Sequence, residues 1–126
     1  MIPDLISEKW PISFHEAKNV KRVGFMLRMR PEKIREYKER HSKVWPEMLE
    51  ALRRNGWHRY SLFVRDDGVL FGYFETPEDF QAALDAMSKE EINKKWQDSV
   101  APLFEDLNGN HADEAMMELE EVFHLD

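Results

Sequence analysis

Hydrophobic positions alternate along residues 22–29. Val23, Phe25, Leu27 and Met29 interleave with Arg22, Gly24, Met26 and Arg28. A period of two predicts a β-strand with one face buried. Pro31 suits the first turn of a helix, and Glu32 favours its N-terminus. Ile34, Tyr37, Lys38 and His41 then fall near one helical face. Pro46 has no backbone N–H and disfavours helix at Trp45, so a break is expected there. A second helical run, Glu47 to Arg54, stops at Asn55-Gly56.

The pattern then returns to period two. Tyr60, Leu62 and Val64 alternate with Ser61 and Phe63. Asp66-Asp67-Gly68 is a turn signal, and Val69 to Glu75 forms the next strand. Thr76-Pro77-Glu78-Asp79 predicts an N-cap, a first-turn proline and an acidic first turn. The helix behind it carries Phe80, Ala83, Leu84 and Met87. Ser88-Lys89-Glu90-Glu91 predicts a capping box for a helix bearing Ile92, Trp96, Val100 and Leu103, kinked at Pro102. Asn108-Gly109-Asn110 is a loop, and Glu118 to Leu125 forms a last strand. The order is strand, helix pair, strand, strand, helix pair, strand. It predicts a ferredoxin-like α+β fold, a four-stranded antiparallel sheet with helices on one face.

The third strand is apolar on both sides. Leu70, Gly72 and Phe74 share one face, and Val69, Phe71 and Tyr73 the other. A solvated face should turn polar. The residues alone leave two occupants for the second face, a partner or a ligand.

Composition narrows the classes. The 126 residues suffice for one domain with a modest core. A net charge of −7 disfavours nucleic acid and anionic membranes. There is no cysteine, hence no disulfide and no thiolate chemistry. No apolar run approaches the ~20 residues of a spanning helix. Asp4, Glu8 and Lys9 interrupt Met1 to Phe14, so no signal peptide is expected and the address is cytoplasmic. Residues 1–19 lack a clear period and are assigned to an N-terminal arm; residues 20–126 form the domain.

The candidate chemistry centres on Tyr37 and His41, four positions apart. A helix stacks them one turn above the other. A phenol beside an imidazole can hold a polar ligand and move a proton. The same spacing also fits two half-buried polar residues on an amphipathic helix. His15, His58, His111 and His124 suit surface or structural roles, and no histidine shows metal-ligand spacing. Glu36, Glu39, Glu47 and Glu50 are candidate bases by residue type only. Trp45 and Trp57 suit core or interface anchors.

Residues 36–47 read Glu-Tyr-Lys-Glu-Arg-His-Ser-Lys-Val-Trp-Pro-Glu. A Tyr-x-x-x-His pair followed by Trp-Pro-Glu resembles the signature of the L-rhamnose mutarotase family. The likeness continues in order from about Val20 onward. It runs through Gly56-Trp57-His58-Arg59-Tyr60-Ser61, Leu70-Phe71-Gly72-Tyr73, Lys94-Lys95-Trp96 and Leu119-Glu120-Glu121-Val122-Phe123-His124-Leu125. Two departures stand out. Trp96-Gln97 replaces two adjacent tryptophans, and residues 106–116 lack an Asn-Pro-Asp-Asn run.

The resemblance implies an isomerase that interconverts the α and β anomers of L-rhamnose or a related pyranose. It implies no cofactor and no metal. His41 is then the proton donor; Tyr37 and Tyr60 bind sugar hydroxyls, and Trp96 packs on the ring or its methyl group. Gln97, in place of an aromatic wall, would bear on the choice of sugar. The resemblance also implies a homodimer, sheet to sheet, forming a dimeric α/β barrel. Two other classes fit the element order: a small monooxygenase of similar fold and a non-enzymatic ligand-binding module.

Overall fold

The computed structural model describes residues 20–126. The arm, with Trp10, Phe14 and His15, lies outside the described residues. Strand β1 (Lys21–Arg28) buries Val23, Phe25 and Leu27, as its alternation predicts. A 3-10 turn at Pro31–Lys33 leads into α1 (Ile34–His41). Trp45 is extended, at φ −59° and ψ 135°, and Pro46 opens α2 (Pro46–Arg54). The proline therefore separates two short helices and leaves His41 as the last residue of the first. Lys38, expected near the apolar face of α1, is exposed instead. Asn55 caps α2, and Gly56 takes the left-handed conformation at φ 85°.

Strands β2 (His58–Val64) and β3 (Val69–Thr76) form the expected hairpin. Its turn is closed by Arg65 N–H to Val69 O, 2.8 Å, and by Val69 N–H to the Asp67 carboxylate, 3.2 Å. Between His58 and Ser61 the register slips, and Arg59 sits at φ 51°. Such a bulge re-aims side chains next to a site. Helices α3 (Phe80–Ser88) and α4 (Glu91–Val100) follow, then a 3-10 turn at Ala101–Leu103 that contains Pro102. A further 3-10 turn, Ala112–Ala115, precedes β4 (Met117–Leu119).

The four strands form an antiparallel sheet in the order β2-β3-β1-β4. The inward side chains of β1 and β3 pack with Met48 and Ala51 of α2, Ala83 and Met87 of α3, and Trp96 and Val100 of α4. The helices thus bury one face of the sheet. Phe74 is fully buried there, whereas Phe71 is 38% exposed on the opposite face. Phe63, Met117 and Leu119 are exposed on that face too.

Phe25 crosses β3 at Gly72, its register partner. Its ring, wholly buried and stacked 5.8 Å from Phe80, fills the space a Cβ would need. Gly72→Ala is therefore expected to destabilise the fold by about 3 kcal/mol through overpacking. Denaturant unfolding measures it; a change below about 0.5 kcal/mol, the range of neutral surface substitutions, would mean that Phe25 moves aside freely.

Three further local expectations differ from the structure. Thr76 ends β3 opposite Lys21 and is buried; Asp79 is the N-cap of α3, its carboxylate accepting from Ala82 N at 2.8 Å. Sheet pairing outcompetes the cap at Thr76, and Asp79 is the next residue able to cap. Ser88 belongs to α3 and bonds back to Asp85 O at 2.6 Å, so no capping box forms. Glu90 precedes α4, but its carboxylate is held by Arg54 and Asn55. The last strand is shorter than the pattern implies. Its pairing with β1 stops at Gly24 and Leu119, although β1 runs on to Lys21; two residues further, Arg22 meets Glu121 through side chains at 2.8 Å. Past Leu119 the chain is outside the strand, and Val122, Phe123 and Leu125 are exposed.

Candidate active site

The buried face of α4 is polar in its middle. Asn93 and Gln97 lie one turn apart and are both buried, beside the apolar Trp96 and Val100. Facing them are the end of α1 and the bulged part of β2. A cavity of about 330 Å³ opens between these elements, lined by both apolar and polar side chains. Val44, Met48, Leu52, Leu62, Met87 and Met116 form its apolar walls. His41, Tyr60, Asn93, Gln97 and Asp113 supply polar groups. Small-molecule sites have this composition, and the volume falls at the small end of their roughly 300–1,000 Å³ range.

His41 is fixed on three sides. Its Nδ1 lies 3.0 Å from the Tyr37 carbonyl oxygen. A carbonyl only accepts, so Nδ1 carries hydrogen and Nε2 is the nitrogen left to exchange a proton. The Tyr37 ring lies 4.1 Å away, centroid to centroid, and Trp96 meets the imidazole edge-on at 5.4 Å. Burial lowers the His41 pKa below its ordinary 6.5, opposed by the hydrogen bond to Tyr37. The ring is therefore neutral at pH 7, with Nε2 free to accept.

Tyr37 is buried beneath His41, edge-on to Phe104 at 5.8 Å. It lines a more open neighbouring cleft with His41, Leu62 and Val64, not the cavity beside α4. Burial pushes its phenol pKa well up. Tyr60 packs 5.1 Å from Trp57, and burial, with Tyr37 and Asp113 nearby, holds its phenol protonated. Trp57 stacks on Phe74 at 3.9 Å and donates Nε1–H to Ala83 O at 3.1 Å, the anchor expected of it. Trp45 meets Trp96 edge-on at 5.1 Å. Gln97 uses both ends of its amide. Nε2 donates to Asn93 Oδ1 at 3.2 Å, and Oε1 accepts from Asp113 N at 3.3 Å.

Of the residues expected to form a site, His41, Tyr60, Trp96 and Gln97 line one cavity, and Tyr37 backs it. His58, His111 and His124 do not line it. His111 bonds Asp98 at 2.7 Å, and His124 bonds Asp126 at 2.8 Å. Among the described residues, His111, Asp113 and Glu114 bring possible ligand atoms within 4.8 Å of one another. These groups have partners already: His111 N–H donates to Glu114 at 2.7 Å, and Asp113 accepts from Asn93 at 3.1 Å. They form the cap of a 3-10 turn. Asn93 and Asp113 were not singled out by sequence pattern. Asn93 sits one turn before Gln97 on a stripe otherwise apolar, a signal that was there to find; Asp113 lies in a loop with no period.

The family described as L-rhamnose mutarotase matches residues 22–125. The chain belongs to that family. It is 36% identical over 109 residues to an L-rhamnose mutarotase of Oceanobacillus iheyensis, covering 85% of this chain and all of the relative. Identity to the Bacillus subtilis L-rhamnose mutarotase is 37% over 108 residues, with the same coverage. The crystal structure of an L-rhamnose mutarotase from Formosa agariphila covers 84% of this chain and 99% of its own, at TM-score 0.69 and 29% identity. This family member thus has both the ordered motifs and the architecture of its relatives. Among its described residues, no helix is long and apolar enough to cross a membrane.

Proposed function

We propose that the protein is a cofactor-free mutarotase of L-rhamnose or a closely related pyranose, with His41 as the principal proton-transfer group. The observation that supports this is the bond from His41 Nδ1–H to Tyr37 O, which leaves Nε2 as the unprotonated nitrogen of a residue that lines the cavity. Mutarotation needs little more. The anomeric O1–H loses a proton, the C1–O5 bond opens, and O5 gains a proton. The aldehyde turns and the ring recloses by the reverse transfers. His41 takes a proton in one direction and donates it in the other.

The cavity suits this substrate class. Its volume fits one pyranose rather than an oligosaccharide. Trp96 and the apolar wall offer a surface for a ring face or methyl group, and Tyr60 and Gln97 offer hydrogen bonds. Tyr37 holds His41 from below and lines the neighbouring cleft, where its hydroxyl would meet a sugar oxygen. Exchange NMR over a panel of free sugars tests the proposal, because it reads anomer interconversion directly. Catalysed exchange is expected on L-rhamnose or a near stereoisomer; none on any sugar would sink it.

Gln97 has a double role in this account, facing the sugar and bracing the Asp113 turn. Gln97→Leu leaves Asp113 N–H and Asn93 Oδ1 without their partner, and each such loss costs about 1–3 kcal/mol. We expect a lower melting temperature and a KM raised roughly 5- to 100-fold, if that energy is lost from the bound state. An unchanged KM in a destabilised variant would assign Gln97 to bracing alone.

We propose that the sheet, with strand order β2-β3-β1-β4 and helices on one face, follows a ferredoxin-like plan and that two copies meet by their open sheet faces in the cytoplasm. Supporting this are Phe63, Phe71, Met117 and Leu119, exposed together, with the apolar tail after Leu119 beside them.

A further inference from the structure

We infer that Asp113 is the second proton-transfer group of the site, working opposite His41; this rests on the mutarotase reading. Ring opening needs two groups, one at O1 and one at O5. Two other titratable side chains of the cavity wall are His41 and Tyr60. Tyr60 is held protonated by burial and serves only as a hydrogen-bond donor near neutral pH. The glutamates that residue type alone suggested stand elsewhere. Glu36 is bound to Arg40 at 2.9 Å and, with Glu39, lines a separate cleft beside Trp45. Glu47 and Glu50 are exposed. Asp113 is the carboxyl that the fold delivers to the cavity.

Its delivery is built. Gln97 Oε1 accepts from Asp113 N, and Asn93 Nδ2 donates to Asp113 Oδ2 at 3.1 Å. Both bracing residues are buried on α4, one turn apart, flanking Trp96 in sequence. The Asn93 amide holds the carboxyl itself, and the Gln97 amide holds the backbone beneath it. Burial also raises the Asp113 pKa, with Glu114 acting in the same direction and Asn93 and His111 against it. A carboxyl moved upward and an imidazole moved downward approach each other in basicity, which eases sharing of a proton.

The pair then works with one proton between them. As C1–O5 breaks, its electron pair goes to O5 and C1=O1 forms. One partner takes the O1 proton, and the other gives its proton to O5. After rotation about C1–C2, the ring recloses on the other carbonyl face with both transfers reversed. Nothing is consumed, and no co-reactant is needed.

Asp113→Asn, Asp113→Ala and wild type are compared by exchange NMR on L-rhamnose, with circular dichroism as the check on folding. Asp113→Asn keeps an acceptor for Asn93, so it is expected to fold. Its kcat should fall ~10²-fold or more, the usual worth of one acid or base, with KM within about three-fold of wild type. Formate added to Asp113→Ala should restore part of the rate in proportion to its concentration. That is the signature of a missing carboxyl, not of a lost brace. An Asp113→Asn variant with near wild-type kcat overturns the assignment. So does a loss confined to KM, or a rate loss in Asp113→Ala that formate leaves untouched. Wild-type protein without exchange on any sugar overturns the mutarotase reading itself; an active wild type beside an active Asp113→Asn overturns only the role of Asp113.

Discussion

His41→Ala is expected to lower catalysed anomer exchange by ~10²–10⁴-fold, the range a single positioned acid or base supplies. Free sugars already mutarotate in water, so an acceleration of this size makes up most of what an enzyme must add. Three contacts make His41 the residue to bet on: the Tyr37 carbonyl, the Tyr37 ring and the Trp96 edge. They fix tautomer and orientation before a substrate arrives, which is how positioning adds to proton transfer. The fold should survive, because His41 ends α1 and is only half-buried. Near wild-type exchange by a folded His41→Ala protein would transfer the central role to Asp113.

Phe71→Glu should turn a dimer into a monomer or an insoluble chain. Phe71 faces away from the helices and pairs across the sheet with Met26 and Phe63. In a sheet-to-sheet dimer the new carboxylate is buried without a partner, at about 3–5 kcal/mol. Two-fold symmetry applies the substitution twice. The dissociation constant should rise at least ~10³-fold, readable by light scattering. Phe74 makes the contrast: wholly buried within the protomer, it stacks on Trp57, so a charge there should unfold the chain. A Phe71→Glu protein that stays dimeric, or a wild type that is monomeric at micromolar concentration, would mean that the open face has another occupant.

Period-two alternation placed β1, β2 and β3 from sequence, because one buried face leaves its mark at every second residue. Pro46 located the α1–α2 break through a local steric rule. The two sides of β3 were equally apolar on paper, so only packing told Phe71 from Phe74. The caps failed at Thr76 and Ser88 because a residue with cap chemistry was taken by the neighbouring strand or helix. The end of β4 was not legible, because the apolar pattern runs on to Leu125 while the pairing with β1 stops at Gly24 and Leu119. In the site, Tyr37 and His41 were legible as one turn of a helix. Asp113 was not, since its place depends on bonds from Asn93 and Gln97 across 20 and 16 positions of sequence. The glutamates of α1 and α2, attractive by type, solvate the outside of their helices or sit in ion pairs.

The central claim is proton transfer by a neutral His41, and magnetisation transfer between the anomers of L-rhamnose tests it most directly when wild type and His41→Ala are run side by side across pH. Because the His41 pKa lies below 6.5, the imidazole stays able to accept down to that lowered value and is lost as an acceptor only beneath it. The account predicts wild-type exchange proportional to enzyme concentration, with an acid limb whose midpoint falls below 6.5 and which His41→Ala lacks. Exchange no faster than buffer alone, or an acid limb unchanged in His41→Ala, would contradict it.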